Sequence, residues 1–230
     1  IPSPCYVLEE AKLIKNLTLM KRVQDESGAR IILALKGFSM WSCFDIIKDY
    51  LQGATASSVW EAKLAAEMGK EVHAYSPAYK KADAEALAGL VHHLSFNSLS
   101  QWQQHKETLA NVSLGLRINP EHQEADTPLY DPAAPGSRLG IRAIELEGED
   151  LSEIEGFHCH NLCECDSFAT ERTLRAIEAR FGKWLPELKW LNLGGGHLMT
   201  SEDYDVVHLI NTLKDFNKGY PNLQFIFRPG

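Results

Sequence analysis

Residue types that do chemistry in enzymes stand at the ends of two apolar runs in this sequence. Lys36 closes the run ILALK, and burial of such an amine lowers its pKa and suits it to form a Schiff base. The alternative is a lysine that reaches solvent at a strand end. Gly194, Gly195 and Gly196 follow the run WLNL. Three residues without a Cβ let backbone N–H groups approach an anion such as phosphate, and the alternative is a flexible turn.

Two arginines offer positive charge near the same strand ends. Arg117 ends the apolar run VSLGLR, and a buried guanidinium needs an anionic partner. A structural ion pair and a substrate contact satisfy that need equally well. Arg138 lies in the segment SRLG (residues 137–140), where it is either a second cation at the same rim or a solvated loop residue.

The segment HCHNLCEC holds imidazoles, thiols and a carboxylate within eight positions, a composition that resembles a zinc site. Alternation along a strand predicts His158, His160 and Glu164 on one face and the three cysteines of the segment on the other. One metal ion cannot be reached from both faces, so we predict no metal here. Inward imidazoles instead suit an aromatic ligand or a hydrogen-bonded core.

Eight short apolar runs are the elements that position these residues. They cover residues 30–36, 54–58, 71–76, 93–98, 112–120, 156–164, 190–196 and 225–230. Amphipathic stretches of helical period lie between most of them, which predicts an α/β fold, a (β/α)₈ TIM-like barrel in one domain over residues 1–230. Its active site would lie at the C-terminal strand ends. Two smaller parallel-sheet domains and a doubly wound sheet are the alternatives.

The first and fifth connections between runs differ in kind. Trp41, Phe44, Ile47 and Leu51 fall at spacings of three and four residues, which predicts a helix with one buried face. The fifth connection, HQEADTPLYDPAAPGS (residues 122–137), is polar and contains proline. Loops of this length are often functional.

The composition excludes several classes of protein. The 230 residues include 23 Lys+Arg against 31 Asp+Glu, a net charge of −8, which argues against an unaided nucleic-acid binder. No run approaches the roughly 18 apolar residues of a membrane span. A hydrophobic content of 44% fits a folded domain. Five cysteines are an odd number in a chain able to build a core, so we expect reduced thiols and a cytoplasmic protein.

Taken in order, the segments ALKGFSMW, TASSVWE, RINP, SRLGI, GFHCHNLCE and NLGGGH resemble the barrel domain of the fold III pyridoxal-phosphate decarboxylases, which share their fold with alanine racemase. Within that group, HNLCE, SRLG and the W-x-x-F-D after the lysine are most similar to the carboxynorspermidine (carboxyspermidine) decarboxylases. The resemblance covers nearly the whole chain. It implies a lyase of polyamine (spermidine) biosynthesis that is a homodimer when full length.

The resemblance also implies roles for individual residues. Lys36 would bond covalently to pyridoxal 5′-phosphate, and His160 would stack on the pyridine ring. Residues 194–196 would bind the phosphate, while Ser58 and Arg117 would line the cofactor pocket. The substrate amine would displace the lysine, and loss of CO₂ would be followed by release of the polyamine.

Asp131, Glu164 and Arg138 are candidates to bind the substrate, a small-molecule polyamine precursor. The carboxylates suit a cationic amine, and the net charge of −8 agrees with such a substrate. No metal, nucleic acid or membrane partner is expected.

Two departures from the family pattern bear on activity. The family has Glu-Pro-Gly after the eighth strand, whereas this sequence has Arg228 before the proline. A cation there would leave the ring nitrogen unprotonated and weaken decarboxylation, as in related alanine racemases. By its position in the family pattern, Arg228 is also a candidate contact to the cofactor. The C-terminal β domain of these enzymes is expected to be absent from the chain. The alternatives are therefore a diaminopimelate-type decarboxylase, a racemase, or a non-catalytic pyridoxal-phosphate carrier.

Overall fold

Eight parallel strands close into a barrel in the computed structural model, which describes residues 2–125 and 127–229. Each strand pairs with the next along the chain, and the last pairs with the first. The strands are β1 (Arg30–Ala34), β2 (Gly53–Ala56), β3 (Glu71–Tyr75), β4 (His93–Phe96), β5 (Ser113–Ile118), β6 (Gly156–Cys159), β7 (Trp190–Asn192) and β8 (Gln224–Phe227). The predicted (β/α)₈ barrel is thus confirmed, and the doubly wound alternative is wrong.

Each of the eight predicted runs overlaps a strand, because a strand covered by helices outside and side chains inside is apolar over most of its length. The runs extend beyond the strands at their C-terminal ends, where the predicted site residues lie. Ile1 and Gly230, the two ends of the predicted domain, lie outside the described residues.

Seven α-helices accompany the strands in the described residues. They are α1 (Glu10–Ser27), α2 (Phe44–Ile47), α3 (Val59–Ala66), α4 (Lys81–Leu87), α5 (Leu99–His105), α6 (Ser167–Phe181) and α7 (Val206–Gly219). The α1 helix precedes the first strand, and Gly28 ends it in the left-handed conformation at φ +75°. None of these helices is long and apolar enough to cross a membrane.

The first connection only partly follows the predicted helix. Phe44, Ile47 and Leu51 are buried as the spacing requires, but Trp41 is 68% exposed. The segment forms a 3₁₀ turn at Trp41–Cys43 and the single-turn helix α2. The three-and-four spacing therefore identified the buried face and overestimated the length of the helix.

The connection between β5 and β6 is the long loop that the sequence predicts. Among its described residues it forms only short 3₁₀ turns, at Pro128–Tyr130 and Ala143–Leu146. Its last part returns to the barrel, because Ile141 makes an isolated parallel bridge with Ile118 at the end of β5. This bridge brings the SRLG segment to the C-terminal end of the barrel, which we call the mouth.

The inside of the barrel is more polar than its outer layer. Ile32, Trp190 and Ile226 form a small apolar cluster apart from the main core, which lies between the strands and the helices. The Trp190 indole fills the N-terminal end, and a Cβ on Gly156 would lie 2.0 Å from its Cδ2 atom. Bulky branched residues fill most barrels of this type. Here the interior beyond these three residues instead holds buried polar side chains such as His73, His158 and Arg117.

Candidate active site

Lys36 lies at the mouth, two residues beyond the end of β1. Its side chain remains accessible, yet partial burial of the amine lowers its pKa, and the charges of Arg228 and Arg117 lower it further. The opposing influences of Glu61 and Cys163 are smaller. A lysine with a lowered pKa is more often neutral and is therefore a better nucleophile.

His160 follows β6 and faces the glycine turn after β7. The amide of Gly195 donates a hydrogen bond of 3.1 Å to His160 Nδ1. Because a backbone N–H can only donate, this contact assigns the ring proton to Nε2. Burial and the nearby cations Arg228 and Arg117 hold the pKa of His160 well below its usual value. The imidazole is therefore neutral at physiological pH.

The glycine turn has room for no side chain. Gly194 and Gly196 adopt φ values of +69° and +87°. A Cβ on Gly194 would lie 2.6 Å from His160 Cβ, and one on Gly196 would lie 2.1 Å from the carbonyl oxygen of Leu162. Two amides of the turn already donate within the chain, Gly194 to Asn192 Oδ1 and Gly195 to His160. An anion that binds either amide has to replace that partner.

Arg117 is buried, with 4% of its surface exposed, and its hydrogen bonds go to neutral groups. Nη1 donates to the hydroxyl of Tyr75 at 2.6 Å, and Nη2 donates to the carbonyl oxygen of His160 at 2.9 Å. The guanidinium also lies 4.9 Å from the centroid of the Tyr75 ring. Arg117 therefore makes no ion pair with a described residue, and its contact with a substrate stays a prediction.

Arg228 lies at the end of β8, as the sequence predicts, and is 4% exposed. Its backbone amide donates to the carbonyl oxygen of Gly194 at 3.0 Å, which ties the end of β8 to the glycine turn. Burial, with a smaller contribution from Arg117, lowers the pKa of the guanidinium to about 10. Within the described ranges, the salt bridges include none made by Lys36, Arg117 or Arg228.

Ser58 caps α3 in this structure. Its Oγ accepts a hydrogen bond of 3.2 Å from the amide of Glu61, while the Glu61 carboxylate accepts one of 2.5 Å from the amide of Ser57. Ser58 is therefore the N-cap that stabilises the first turn of the helix, while the Glu61 carboxylate binds the amide of the residue before the cap. Ser58 thus has a local structural partner, and its role toward a cofactor stays a prediction.

The three candidate substrate residues do not converge. Asp131 and Arg138 both line a cavity of ≈ 700 Å³ at the rim. Asp131 is buried and accepts a hydrogen bond of 2.8 Å from the amide of Ala133, whereas Arg138 is exposed. Glu164 is exposed elsewhere, at φ +53°, and does not line that cavity.

The alternation predicted for HCHNLCEC holds only for its first residues. His158 and His160 stack at 6.4 Å inside the barrel, and Cys159 is buried in the outer core. The strand ends at Cys159, so the alternation predicted for Cys163, Glu164 and Cys165 has no strand to rest on. Beyond the strand the chain turns, and period-two alternation no longer applies.

The sequence analysis missed a second polar cluster, at the N-terminal end of the barrel. Glu71, His73 and His93 place possible metal-ligating atoms within 4.8 Å of one another. The imidazoles of His73 and His93 are stacked at 4.1 Å with an angle of 7° between their planes. Lone pairs in two parallel planes do not point to a common ion. The Glu71 carboxylate is also paired with Arg30 at 2.6 Å, so the cluster is a charge-compensated structural network.

Tyr75 is the residue of the mouth that the sequence analysis overlooked. Its hydroxyl accepts from Arg117 and lies 3.0 Å from Asn97 Oδ1. Tyr75 is the last residue of β3, and its position at a strand end was the signal that could have identified it.

Comparisons with known proteins first define the class. No family model matches the chain. Diaminopimelate decarboxylase from M. jannaschi has a TM-score of 0.76 at 19% identity, covering all of this chain and 61% of that one. The barrel therefore has the fold of the fold III pyridoxal-phosphate decarboxylases, as the sequence predicts.

Closer relatives narrow the resemblance. Carboxyaminopropylagmatine decarboxylase of Synechocystis sp. is 50% identical over 233 residues, which cover all of this chain and 60% of that protein. Carboxynorspermidine/carboxyspermidine decarboxylase of Campylobacter jejuni is 46% identical over 231 residues, again covering 60% of the relative. A crystal structure of carboxynorspermidine decarboxylase from C. jejuni, complexed with norspermidine, has a TM-score of 0.93 at 44% identity and covers all of this chain and 60% of that one. The predicted resemblance to these decarboxylases is confirmed, and the chain spans about 60% of their length.

Proposed function

We propose that this chain is the cofactor-binding barrel of a pyridoxal-phosphate carboxy-lyase that decarboxylates carboxynorspermidine or carboxyspermidine in polyamine biosynthesis. The observation that carries the proposal is the meeting of Lys36, His160 and the glycine turn at the mouth. Similarity over the whole chain to decarboxylases of carboxylated polyamine precursors supports it.

The residues of the mouth fit pyridoxal phosphate. Lys36 offers an amine of lowered pKa for covalent attachment, and the neutral His160 ring suits contact with a pyridine face. The glycine turn approaches closely enough for a phosphate, because a side chain on Gly194 or Gly196 would collide with neighbouring atoms. Buried Arg117 adds positive charge. When bound, the cofactor supplies an electron sink for the charge left as CO₂ departs.

Arg228 is the residue that fits a decarboxylase least well. A buried guanidinium at the end of β8 cannot accept a proton from a pyridinium nitrogen, so we expect a weaker electron sink and slower decarboxylation. This residue favours a racemase of the same fold as the second candidate function. The whole-chain similarity to decarboxylases favours the first.

The substrate proposal depends on the rim. Asp131 and Arg138 line the same cavity, and together they offer one negative and one positive charge to a substrate that carries a carboxylate and amines. Glu164 lies outside that cavity and would act only on a substrate that extends past the end of β6. Because one relative is named for carboxyaminopropylagmatine, that compound belongs among the substrates to be compared.

Two broader properties of the whole protein are part of the proposal. All five cysteines are free thiols, which supports a reducing compartment such as the cytoplasm. A homodimer is expected from the resemblance, and light scattering of the full-length protein would test it.

CO₂ release tests the function. The full-length protein with pyridoxal phosphate should release CO₂ from carboxynorspermidine or carboxyspermidine faster than from carboxyaminopropylagmatine or diaminopimelate, and should not racemise alanine. Lys36→Ala should abolish release, whereas Lys15→Ala, on the exposed side of α1, should match the wild type. Racemisation without CO₂ release would establish the second candidate and contradict the first. No activity with any substrate by a protein that binds the cofactor would support the carrier alternative.

A further inference from the structure

Two uncharged side chains connect Arg117 to the SRLG segment at the rim. The Tyr75 hydroxyl lies 2.6 Å from Arg117 Nη1 and 3.0 Å from Asn97 Oδ1. Asn97 then reaches the segment twice: its Nδ2 lies 2.8 Å from the carbonyl oxygen of Arg138, and its Oδ1 lies 2.9 Å from the amide nitrogen of Gly140. Three of these four contacts join residues more than 40 positions apart in the sequence, and the contact between Tyr75 and Asn97 joins residues 22 positions apart.

Chemistry fixes the direction of every bond in this connection. A guanidinium can only donate, so the Tyr75 hydroxyl accepts from Arg117 and has its own proton left for Asn97 Oδ1. The amide of Gly140 also donates to that oxygen, so the Asn97 Nδ2 must be the atom that faces the carbonyl of Arg138. Each donor meets an acceptor, and only an amide at position 97 can serve both sides.

The segment is also held against β5 by its backbone. Ile141 donates to the carbonyl of Arg117 at 2.8 Å and accepts from the amide of Asn119 at 2.9 Å. Gly140 adopts φ +83°, and a Cβ there would lie 2.8 Å from the Ile118 carbonyl. The backbone contacts fix residue 141, while Asn97 fixes the residues before it, including Arg138.

The position of Arg138 therefore depends on Asn97 and Tyr75. The backbone carbonyl of Arg138 is held by Asn97, while its side chain is exposed beside the rim cavity. Asn97 and Asp131 line the same cavity. A small rotation of the segment would move the guanidinium relative to Arg117 by several times the shift of its carbonyl, because the arginine side chain is long.

We propose that Tyr75 and Asn97 are positioning residues that set the distance between Arg138 and the Arg117 side of the mouth. They thereby determine how the carboxylated amine substrate is held. The proposal deepens the proposed function, on which its substrate part rests. Its structural part, the coupling of the SRLG segment to Tyr75, stands on the contacts alone.

Two variants test the hydrogen bonds made by Tyr75 and Asn97, and a third serves as the control. Tyr75→Phe removes the hydroxyl and keeps the ring, which packs edge-on against His158 at 4.8 Å. Asn97→Asp keeps the oxygen that accepts from Tyr75 and Gly140 but places a second oxygen against the Arg138 carbonyl. Tyr79→Phe is the matched control, because the Tyr79 hydroxyl bonds Ser76 and Ser95 and not the SRLG segment.

Hydrogen exchange of the full-length protein measures the coupling without substrate. We expect amides of residues 137–141 to exchange about tenfold faster in Tyr75→Phe and in Asn97→Asp, with unchanged exchange of these amides in Tyr79→Phe. Equal exchange in the wild type and both test variants would overturn the proposal. If Tyr75→Phe fails to fold, the isosteric Asn97→Asp decides.

Steady-state kinetics measure the consequence for substrate. Both test variants should raise KM several-fold and leave kcat within about twofold, whereas the control should change neither. A fall in kcat with unchanged KM would overturn the substrate part of the proposal. If the wild type turns over no substrate, the proposed function fails, while the exchange result still decides the coupling.

Discussion

The two ends of the barrel interior carry opposite arrangements of charge. At the N-terminal end, Arg30 pairs with Glu71 at 2.6 Å, and the same carboxylate lies 3.2 Å from His73 Nε2. At the mouth, buried Arg117 and Arg228 form no salt bridge with the described residues. The first end is neutralised by its own residues, while the mouth holds positive charge that no described residue neutralises. Positive charge kept unpaired in a buried site is costly, which is why we associate it with binding an anion.

The same substitution at both ends should have opposite effects on stability. Arg228→Met removes a buried cation without an ion-pair partner and should stabilise the protein by about 1–2 kcal/mol. Arg30→Met leaves the half-buried carboxylate of Glu71 without its cation and should destabilise it by about 1 kcal/mol. Urea unfolding of both variants in the absence of cofactor measures the difference.

Arg228→Met should also weaken pyridoxal-phosphate binding, whereas Arg30→Met should not. Loss of stability by the same amount in both variants would show that the charge at the mouth is compensated like the charge at the N-terminal end. That result would remove the contrast on which the anion-binding interpretation depends.

A smaller effect should appear in the pH dependence of stability. Burial lowers the pKa of His93 from 6.5 to about 3, with a further contribution from His73. Since the unfolded chain takes up this proton at a higher pH than the folded one, the stabilisation is complete above pH 6.5 and is lost as the pH falls toward 3. The hydrogen bond from His73 lowers the pKa of Glu71 to about 2, so its contribution is lost below the ordinary value of 4.5.

His93→Gln separates these two windows. Between pH 6.5 and about pH 3, the free energy of unfolding of this variant should fall less steeply than that of the wild type. The two slopes should differ by at most about 1.4 kcal/mol per pH unit. Urea titrations across this range provide the comparison. Parallel curves for the two proteins would show that burial at the N-terminal end does not keep His93 neutral.

The sequence predicted the residues of the mouth but not those of the N-terminal end. Lys36, Arg117, Arg228 and the glycine turn stand at the ends of apolar runs, and the barrel fold places all strand ends of one kind together. The N-terminal end gave no such signal, because active sites of barrels lie at the C-terminal strand ends and the first residues of strands are not expected to be functional. Arg30 begins β1 and Glu71 begins β3, and they meet because these two strands lie on either side of β2 in the sheet.

Contacts across the sequence were also beyond prediction. Tyr75 ends β3 and Asn97 directly follows β4, but their link to Gly140 depends on the path of the long fifth connection. The limits of periodicity appear at Trp41 and at Cys163, where patterns typical of a helix and a strand extend past the element that produces them. Element types were predictable because burial imposes a period, whereas element ends depend on local turns.

Covalent attachment of the cofactor at Lys36 tests the central claim most directly. The full-length protein is incubated with pyridoxal phosphate, reduced with borohydride and mapped by peptide mass spectrometry. We predict a pyridoxyl group on Lys36 at near-full occupancy, and loss of specific labelling in Lys36→Ala. Labelling spread over surface lysines, with Lys36 unmodified, would contradict the assignment of the mouth as the cofactor site.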